Sequence, residues 1–310
     1  MRTSCVNRNT FNHTGFLPQL LSLIWELQRQ VRNSRRDDFP TSEPFITGDD
    51  FRFLSDFVFD DGGLTFLPSQ VFSNALVFVK AYPPLLDYFF RQIHPRIRHP
   101  YRLLTHNEDR PMPGGQEHWL QDAKLLHWYS TNISCRHPKV TSIPIGILNQ
   151  RANPENHRNL GELMNATAEK QDRAYLNFHI GDATERAAYN ANRQEVYDRF
   201  RDCPWVTVSG RVPPRQYLEE ISGHRFVISP PGHGPDCYRH WEAMYLGSIP
   251  VVERCVNMAC YSNYPMILID DWSQVSPEFL EAEAAKIEQR NFNREQLLFE
   301  YWKDLISSCR

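Results

Sequence analysis

The chain of 310 residues has room for two domains of ordinary size or one large α/β unit. Its 41% hydrophobic, 13% aromatic and 23% charged residues place it in the globular range, which excludes a disordered or collagen-like chain. A formal net charge of −3 gives no electrostatic reason to expect nucleic acid or an acidic membrane surface as partner.

Residues 1–50 read as an N-terminal helix and linker, with Leu20, Leu21, Ile24, Leu27 and Val31 at helical spacing before the charged run Arg35-Arg36-Asp37-Asp38. The apolar stretch from Phe16 to Leu27 is broken by Pro18, Gln19, Ser22 and Glu26, so it falls short of a membrane span, and without an evident small-residue cleavage site a signal peptide is not the favoured reading. Residues 51–160 are expected to form a first α/β domain. Its strands are placed at Leu76–Val79, Tyr101–Thr105 and Val140–Ile145, with helices after Pro83-Pro84 and over Asp122–Tyr129. The polar segment 151–172 reads as an interdomain linker.

A second domain over 170–275 shows clearer alternation. Strands are expected at Tyr175–Ile180, Trp205–Ser209, Arg225–Ser229, Ile249–Val252 and Met266–Asp270, and helices at Glu185–Phe200, at Pro214–Ile221 and from near Asp236 to Leu246. That alternation predicts βαβ units and a parallel sheet. Two helices in 276–310 close the chain, the first capped by Ser276, the second opened by Asn293 with Gln296. The expected fold is α/β, two sheets with a cleft between them. The seven cysteines form no CxxC and no zinc-ligand spacing and read as mostly free thiols. Sequons stand at Asn12, Asn132 and Asn165, a frequency that chance supplies.

The most informative segment runs from Phe226 to Val252. An apolar strand ends in Ser229-Pro230-Pro231-Gly232-His233-Gly234-Pro235, and a helix follows. Ligands of open parallel sheets bind outside the carboxyl ends of the strands. A glycine loop there lets backbone N–H groups approach a ligand, and the helix N-terminus offers unpaired N–H groups to phosphate. Arg239 and Glu242 share a face of that helix, the guanidinium placed for a diphosphate and the carboxylate for ribose hydroxyls. In mid-helix the same pair would be a solvated surface contact; its place on the first turns after the loop suggests a nucleotide. Neither a full GxGxxG nor a GxxxxGK[ST] is present. The acidic pairs Asp49-Asp50, Asp60-Asp61 and Asp270-Asp271 read as solvated or capping residues rather than as cation sites.

Arg239-x-x-Glu242-Ala243-x-x-x-Gly247-x-Ile249-Pro250-Val251-Val252, preceded by a strand and a Pro/Gly loop, resembles the C-terminal signature of the exostosin-type glycosyltransferases. The resemblance implies a GT-B-like fold of two Rossmann-like domains whose parallel sheets face a cleft. It implies inverting transfer from a nucleotide sugar, a UDP-sugar, to a glycan or glycoconjugate hydroxyl, with no metal or other cofactor, in the Golgi or secretory lumen. It implies Arg239 on the donor diphosphate and Glu242 on the ribose, with Ser229, Gly232, His233 and Gly234 lining the donor pocket. Inverting transfer needs a base for the acceptor hydroxyl and cations for the departing diphosphate. The loop His106-Asn107-Glu108-Asp109 offers Asp109 as the preferred base and His106 as the other, and Arg186 or Arg193 offers a second cation. Nucleic acid and a membrane are not expected as partners. The alternatives are a GT-B-shaped carbohydrate-binding or scaffold protein without transfer, and a hydrolase or phosphorylase acting on sugar phosphates.

Overall fold

The computed structural model describes residues 42–166, 168–181 and 193–308. The expected helix over Leu20–Val31, the sequon at Asn12 and the candidate cation Arg186 lie outside them. Helix α1 (Gly48–Leu54) opens the described chain, with the Thr47 hydroxyl accepting the Asp50 N–H as its cap. Strands β1 (Phe57–Asp60), β2 (Gly63–Leu64), β3 (Leu76–Lys80), β4 (Tyr101–His106), β5 (Leu125–Ser130) and β6 (Val140–Ser142) form a sheet in the order β2-β1-β3-β4-β5-β6. Only the β1–β2 hairpin is antiparallel. Helix α2 (Pro83–Tyr88) starts at the expected diproline. Leu76–Val79 is buried throughout, as a central strand covered on both faces requires.

Two segments differ from the sequence reading. Asp122–Tyr129 is not helical: Leu125–Ser130 is a strand paired with β4 and β6. The spacing of Leu125, Leu126 and Tyr129 mimics a helix, but the β-prone Trp128 and Tyr129 are buried between two neighbouring strands. The supposed linker contains helix α3 (Pro154–Met164), whose first N–H groups are capped by the Asn153 side chain. Its inward residues are Asn156, His157 and Asn159 beside Leu160, so no hydrophobic period marks it.

The second sheet contains β7 (Gln171–Leu176), β8 (Val206–Val208), β9 (His224–Ile228), β10 (Ile249–Glu253) and β11 (Ile267–Ile269), all parallel, in the order β11-β10-β9-β7-β8. Helices α4 (Arg193–Phe200), α5 (Pro214–Ser222) and α6 (Tyr238–Tyr245) alternate with these strands. The sheet begins at β7, adds β8 on one side and β9 on the other, which is the doubly wound order 2-1-3-4-5. Its topological switch point therefore lies between β7 and β9.

Helix α7 (Pro277–Glu288) is capped by Ser276, whose hydroxyl accepts the Phe279 N–H at 3.2 Å. Helix α8 (Phe299–Ser308) returns to the first sheet. There Arg102 donates to the Ile306 carbonyl at 2.5 Å, and Phe299 meets Phe51 edge-on at 5.3 Å. One hydrophobic cluster joins Leu76, Phe78, Leu104 and Tyr129 of the first sheet to Val227 and Val252 of the second, through Trp241 of α6 and Trp302 of α8. The outer faces of the sheets pack into separate clusters. The architecture is α/β and GT-B-like, two Rossmann-like units whose strand ends meet at a cleft.

Candidate functional site

The carboxyl ends of β1, β3 and β4 open onto a cavity of about 290 Å³, lined by Asp60, Asp61, Lys80, Asn107, Glu108 and Asp109, with Tyr238 facing from the second unit. Asn107 adopts a left-handed conformation (φ 62°), which its short polar side chain tolerates, and turns the chain at the end of β4. Asp109 then reaches across to the second unit, where its carboxylate lies 3.6 Å from His233 Nδ1. Burial pushes the Asp109 carboxyl above the usual range, with His233 working in the opposite direction. The structure thus brings together two predicted residues that are far apart in the chain.

His106 is placed differently. It is 2% exposed, its Nε2–H donates to the Pro144 carbonyl at 3.1 Å, and its Nδ1 accepts the Asn107 N–H at 2.7 Å. Burial lowers its pKa to about 4, against the hydrogen bonds to Pro144 and Asn107. Both ring nitrogens are engaged, so His106 supports the loop and offers no lone pair to an acceptor hydroxyl.

At the switch point of the second sheet, Phe178 follows β7 and the predicted loop follows β9. Arg193 of α4 donates to the Pro231 carbonyl at 2.7 Å and to the His179 carbonyl at 2.6 Å. Arg239 donates from Nη1 to Ser229 Oγ and to the Pro230 carbonyl, both at 3.3 Å. The two guanidinium groups lie 6.0 and 5.3 Å from the Phe178 ring centre, within cation–π range. Two fixed cations therefore converge where the topology places a ligand. Glu242, one turn beyond Arg239, is buried, accepting Asn156 Nδ2 at 3.3 Å and the Tyr217 hydroxyl at 3.1 Å on different oxygens. Burial raises its pKa, while Tyr217, Asn156 and Arg239 favour the carboxylate. Each oxygen keeps a further lone pair for a ribose hydroxyl.

The loop residues themselves mostly serve the protein. Ser229 is fully buried, its hydroxyl holding Arg239 and its N–H bonded to Val251, so it supports the cation and has no surface for a ligand. The Gly232 N–H is donated to the Gly234 carbonyl at 2.9 Å, and a Cβ on Gly232 would meet Arg193 at 3.0 Å. A Cβ on Gly234 would meet Asn132 Nδ2 at 2.6 Å and the Asp109 carbonyl at 2.8 Å. The glycine expected to admit phosphate instead admits the first unit. His233 is half exposed beside Asp109, at the rim of the cleft.

Sequence reasoning missed the residues that hold the two loops together. Asn132 (φ 52°, 1% exposed) accepts the Asp236 N–H at 3.1 Å and donates to the Asp109 carbonyl at 3.4 Å. Asp236 accepts the Ile145 N–H at 2.9 Å on one oxygen and Trp241 Nε1–H at 2.8 Å on the other. The Asn132 sequon is consequently buried with its amide committed, whereas Asn165 is exposed. Asp236→Asn puts an amide NH₂ against one of two buried donors. We expect a loss of about 2–3 kcal/mol of stability, read as a lowered urea midpoint; an unchanged midpoint would refute the crosslink.

The acidic pairs are engaged locally. Asp60 pairs with Arg52, Asp61 with Lys80, Asp49 with Arg151 and Asp270 with Arg254, while Asp50 bonds Thr47 and Asp271 caps a turn through the Ser273 N–H. Among the described residues no group of three or more His, Cys, Asp or Glu side chains is arranged to hold a metal ion. No described helix is long and apolar enough to cross a membrane.

The family model described as the RXYLT1 C-terminal domain matches residues 190–309, a stretch that contains Arg193, Arg239 and Glu242. Proteins named ribitol-5-phosphate xylosyltransferase 1 are 23% identical over 205 residues in Danio rerio and 23% identical over 212 residues in Homo sapiens. Those matches cover 59% and 60% of this chain, which spans only 42% of the length of either relative. The solved structure of a UDP-GlcNAc 2-epimerase from Methanocaldococcus jannaschii is 12% identical, with a TM-score of 0.34, over 71% of this chain and 72% of that one. The two sequence relatives are glycosyltransferases by name, and the matching model is the RXYLT1 C-terminal domain rather than an exostosin one.

Proposed function

We propose that the chain transfers a sugar from a nucleotide sugar, the donor lying at the switch point of the second sheet and the acceptor in the cavity at the strand ends of the first. The observation that supports this most is the convergence of Arg193 and Arg239, both inside the stretch similar to the RXYLT1 C-terminal domain, on Phe178 at the β7–β9 switch point. The acceptor hydroxyl oxygen bonds to the anomeric carbon, the bond from that carbon to the donor phosphate breaks, and the hydroxyl proton passes to Asp109. Arg239, with Arg193, balances the charge that develops on the leaving diphosphate. A single displacement of this kind inverts the anomeric centre. Glu242 accepts the ribose hydroxyls, with uridine as the proposed base of the donor. The relatives' names point to a pentosyl donor and an alditol phosphate acceptor, for which Lys80 and Arg151 are the cations lining the acceptor cavity.

A thermal-shift series with UDP, GDP, ADP and CMP tests the donor site. At 100 times its dissociation constant a nucleotide stabilises the native state by about 2.7 kcal/mol. One nucleotide is expected to give that shift, and Glu242→Ala, folded by circular dichroism, is expected to lose it. Glycan binding with no shift from any nucleotide would instead favour the non-catalytic carbohydrate-binding alternative.

A further inference from the structure

Beneath the donor-side loop stand three titratable side chains that the transfer chemistry does not use. Cys237 is the N-cap residue of α6 and is half-buried. Its Sγ lies 3.2 Å from His240 Nε2. His240 is inaccessible to solvent, and its Nδ1 lies 3.5 Å from an Asp236 oxygen. Asp236 is itself fixed by the Trp241 and Ile145 bonds described above. The Ser229 carbonyl, 3.3 Å from His240 Nε2, favours a proton on that nitrogen, which faces the sulfur. The Cys237 N–H also approaches His240 Nδ1, at 3.4 Å, so the ring is held from both its cap residue and the Asp236 side, and a thiol beside such a base, with a carboxylate behind it, is the arrangement of an activated nucleophile. The helix N-terminus adds a positive end to it.

The charges agree with the geometry. Burial opposes ionisation of Cys237, but His240 and Arg239 outweigh it and bring the thiol down to about 7. Burial also opposes charge on His240, and Cys237 and Asp236 overcome it, raising the imidazole to about 9. Burial pushes the Cys135, Cys255 and Cys260 thiols upward. The Cys237 sulfur faces the Pro230 carbonyl at 4.0 Å, and a Cβ on Gly232 would stand 3.7 Å from Cys237 Cβ, so this partly exposed thiol lies directly under the loop.

We propose that Cys237 is a modification site, a thiolate held by His240 and Asp236 that takes up small electrophiles and low-molecular-weight disulfides and whose modification displaces the Pro230–Gly234 loop. With a disulfide, the Cys237 sulfur bonds to one sulfur of the reagent, the reagent's S–S bond breaks, and its other half leaves as a thiolate. The proton originally on the Cys237 thiol stays on His240. With iodoacetamide a C–S bond forms and iodide leaves with its electron pair. The reactivity stands on the three side chains alone; the consequence for nucleotide binding rests on the donor site proposed above.

At pH 6 a thiol with a pKa of 7 is ionised about thirtyfold more than an ordinary thiol, and its weaker intrinsic nucleophilicity takes back about fivefold, which leaves a net advantage of about sixfold. Timed iodoacetamide labelling read by peptide mass spectrometry is expected to show that margin for Cys237 over Cys203, which is also half-buried. His240→Gln is expected to reduce Cys237 to the Cys203 rate. In the unsubstituted chain, glutathione disulfide is expected to abolish the nucleotide-induced thermal shift. In Cys237→Ser, which keeps the side-chain size, the same treatment is expected to leave the shift intact. Labelling of Cys237 no faster than Cys203 in the folded, unsubstituted chain would overturn the site. An unchanged nucleotide shift after complete modification would overturn the loop displacement. Rapid labelling together with no nucleotide shift before modification would uphold the thiol and sink the donor assignment instead.

Discussion

Asp109→Asn is expected to lower kcat/KM by about 10²–10⁴-fold, the usual contribution of a positioned general base, with nucleotide binding unaffected. Asn keeps the size of the side chain but cannot take the acceptor proton. The proposed nucleotide contacts lie on the second unit, so the thermal shift with nucleotide should survive. The pH profile carries the sign. As the proposed base, Asp109 works only when ionised, so kcat/KM is expected to fall as pH drops through its pKa. Burial raises that pKa above 3.8, and the acid limb should lie above the ordinary carboxylate position. His233, 3.6 Å away, opposes the rise. His233→Gln removes that opposition and should move the acid limb further upward. Turnover of Asp109→Asn within threefold of the unsubstituted chain would pass the base role to another group.

The strand–loop–helix unit proposed as the donor side was legible because its signals are local. The apolar strand at Phe226–Ile228, the Pro/Gly loop and the Arg239–Glu242 spacing lie within one strand–loop–helix unit, and periodicity with capping chemistry reads such a unit well. The doubly wound order was not legible, because strand neighbours far apart in the chain are chosen by tertiary packing. Gly234 shows the difference most clearly. A glycine in a loop signals close approach, but not of what, and the partner proved to be Asn132 and the Asp109 carbonyl, more than 100 residues away along the chain. Helix α3 stayed hidden because its buried face is polar: Asn156 reaches Glu242, and His157 bonds the Leu148 carbonyl. Strand β5 was misassigned because Leu125, Leu126 and Tyr129 fit a helical stripe as well as a strand, and only its pairing with β4 and β6 decides. The sequence preferred Asp109 to His106 as base within one polar loop but carried no sign of how differently the two are placed. Burial and engaged ring nitrogens separate them.

Arg239→Ala is expected to cost about 2–4 kcal/mol of transition-state stabilisation, or about 30- to 10³-fold in kcat, by analogy with other preorganised groups facing developing charge. The charge on the diphosphate grows as its bond to the sugar breaks, so kcat should fall more than KM rises. Arg239 is well placed to act this way because it is already fixed: it is 8% exposed, bonded to Ser229 and Pro230, and lies within cation–π range of Phe178. Little reorganisation is then needed as the bond breaks. Arg239→Lys keeps the charge but loses the planar fork, which can hold Ser229 and Pro230 with one nitrogen while presenting others to phosphate. Lysine should therefore recover only part of the loss. Arg193 lies on the other approach to Phe178 and is anchored by carbonyls of two different loops, so it offers a second cation but is tied more closely to loop structure. Arg193→Ala should consequently raise KM as well as lower kcat, whereas Arg239→Ala should act chiefly on kcat. Steady-state kinetics on both variants separate the two roles. If Arg239→Ala raises KM alone, the guanidinium binds substrate and transition state equally, and stabilisation of the leaving group passes to Arg193.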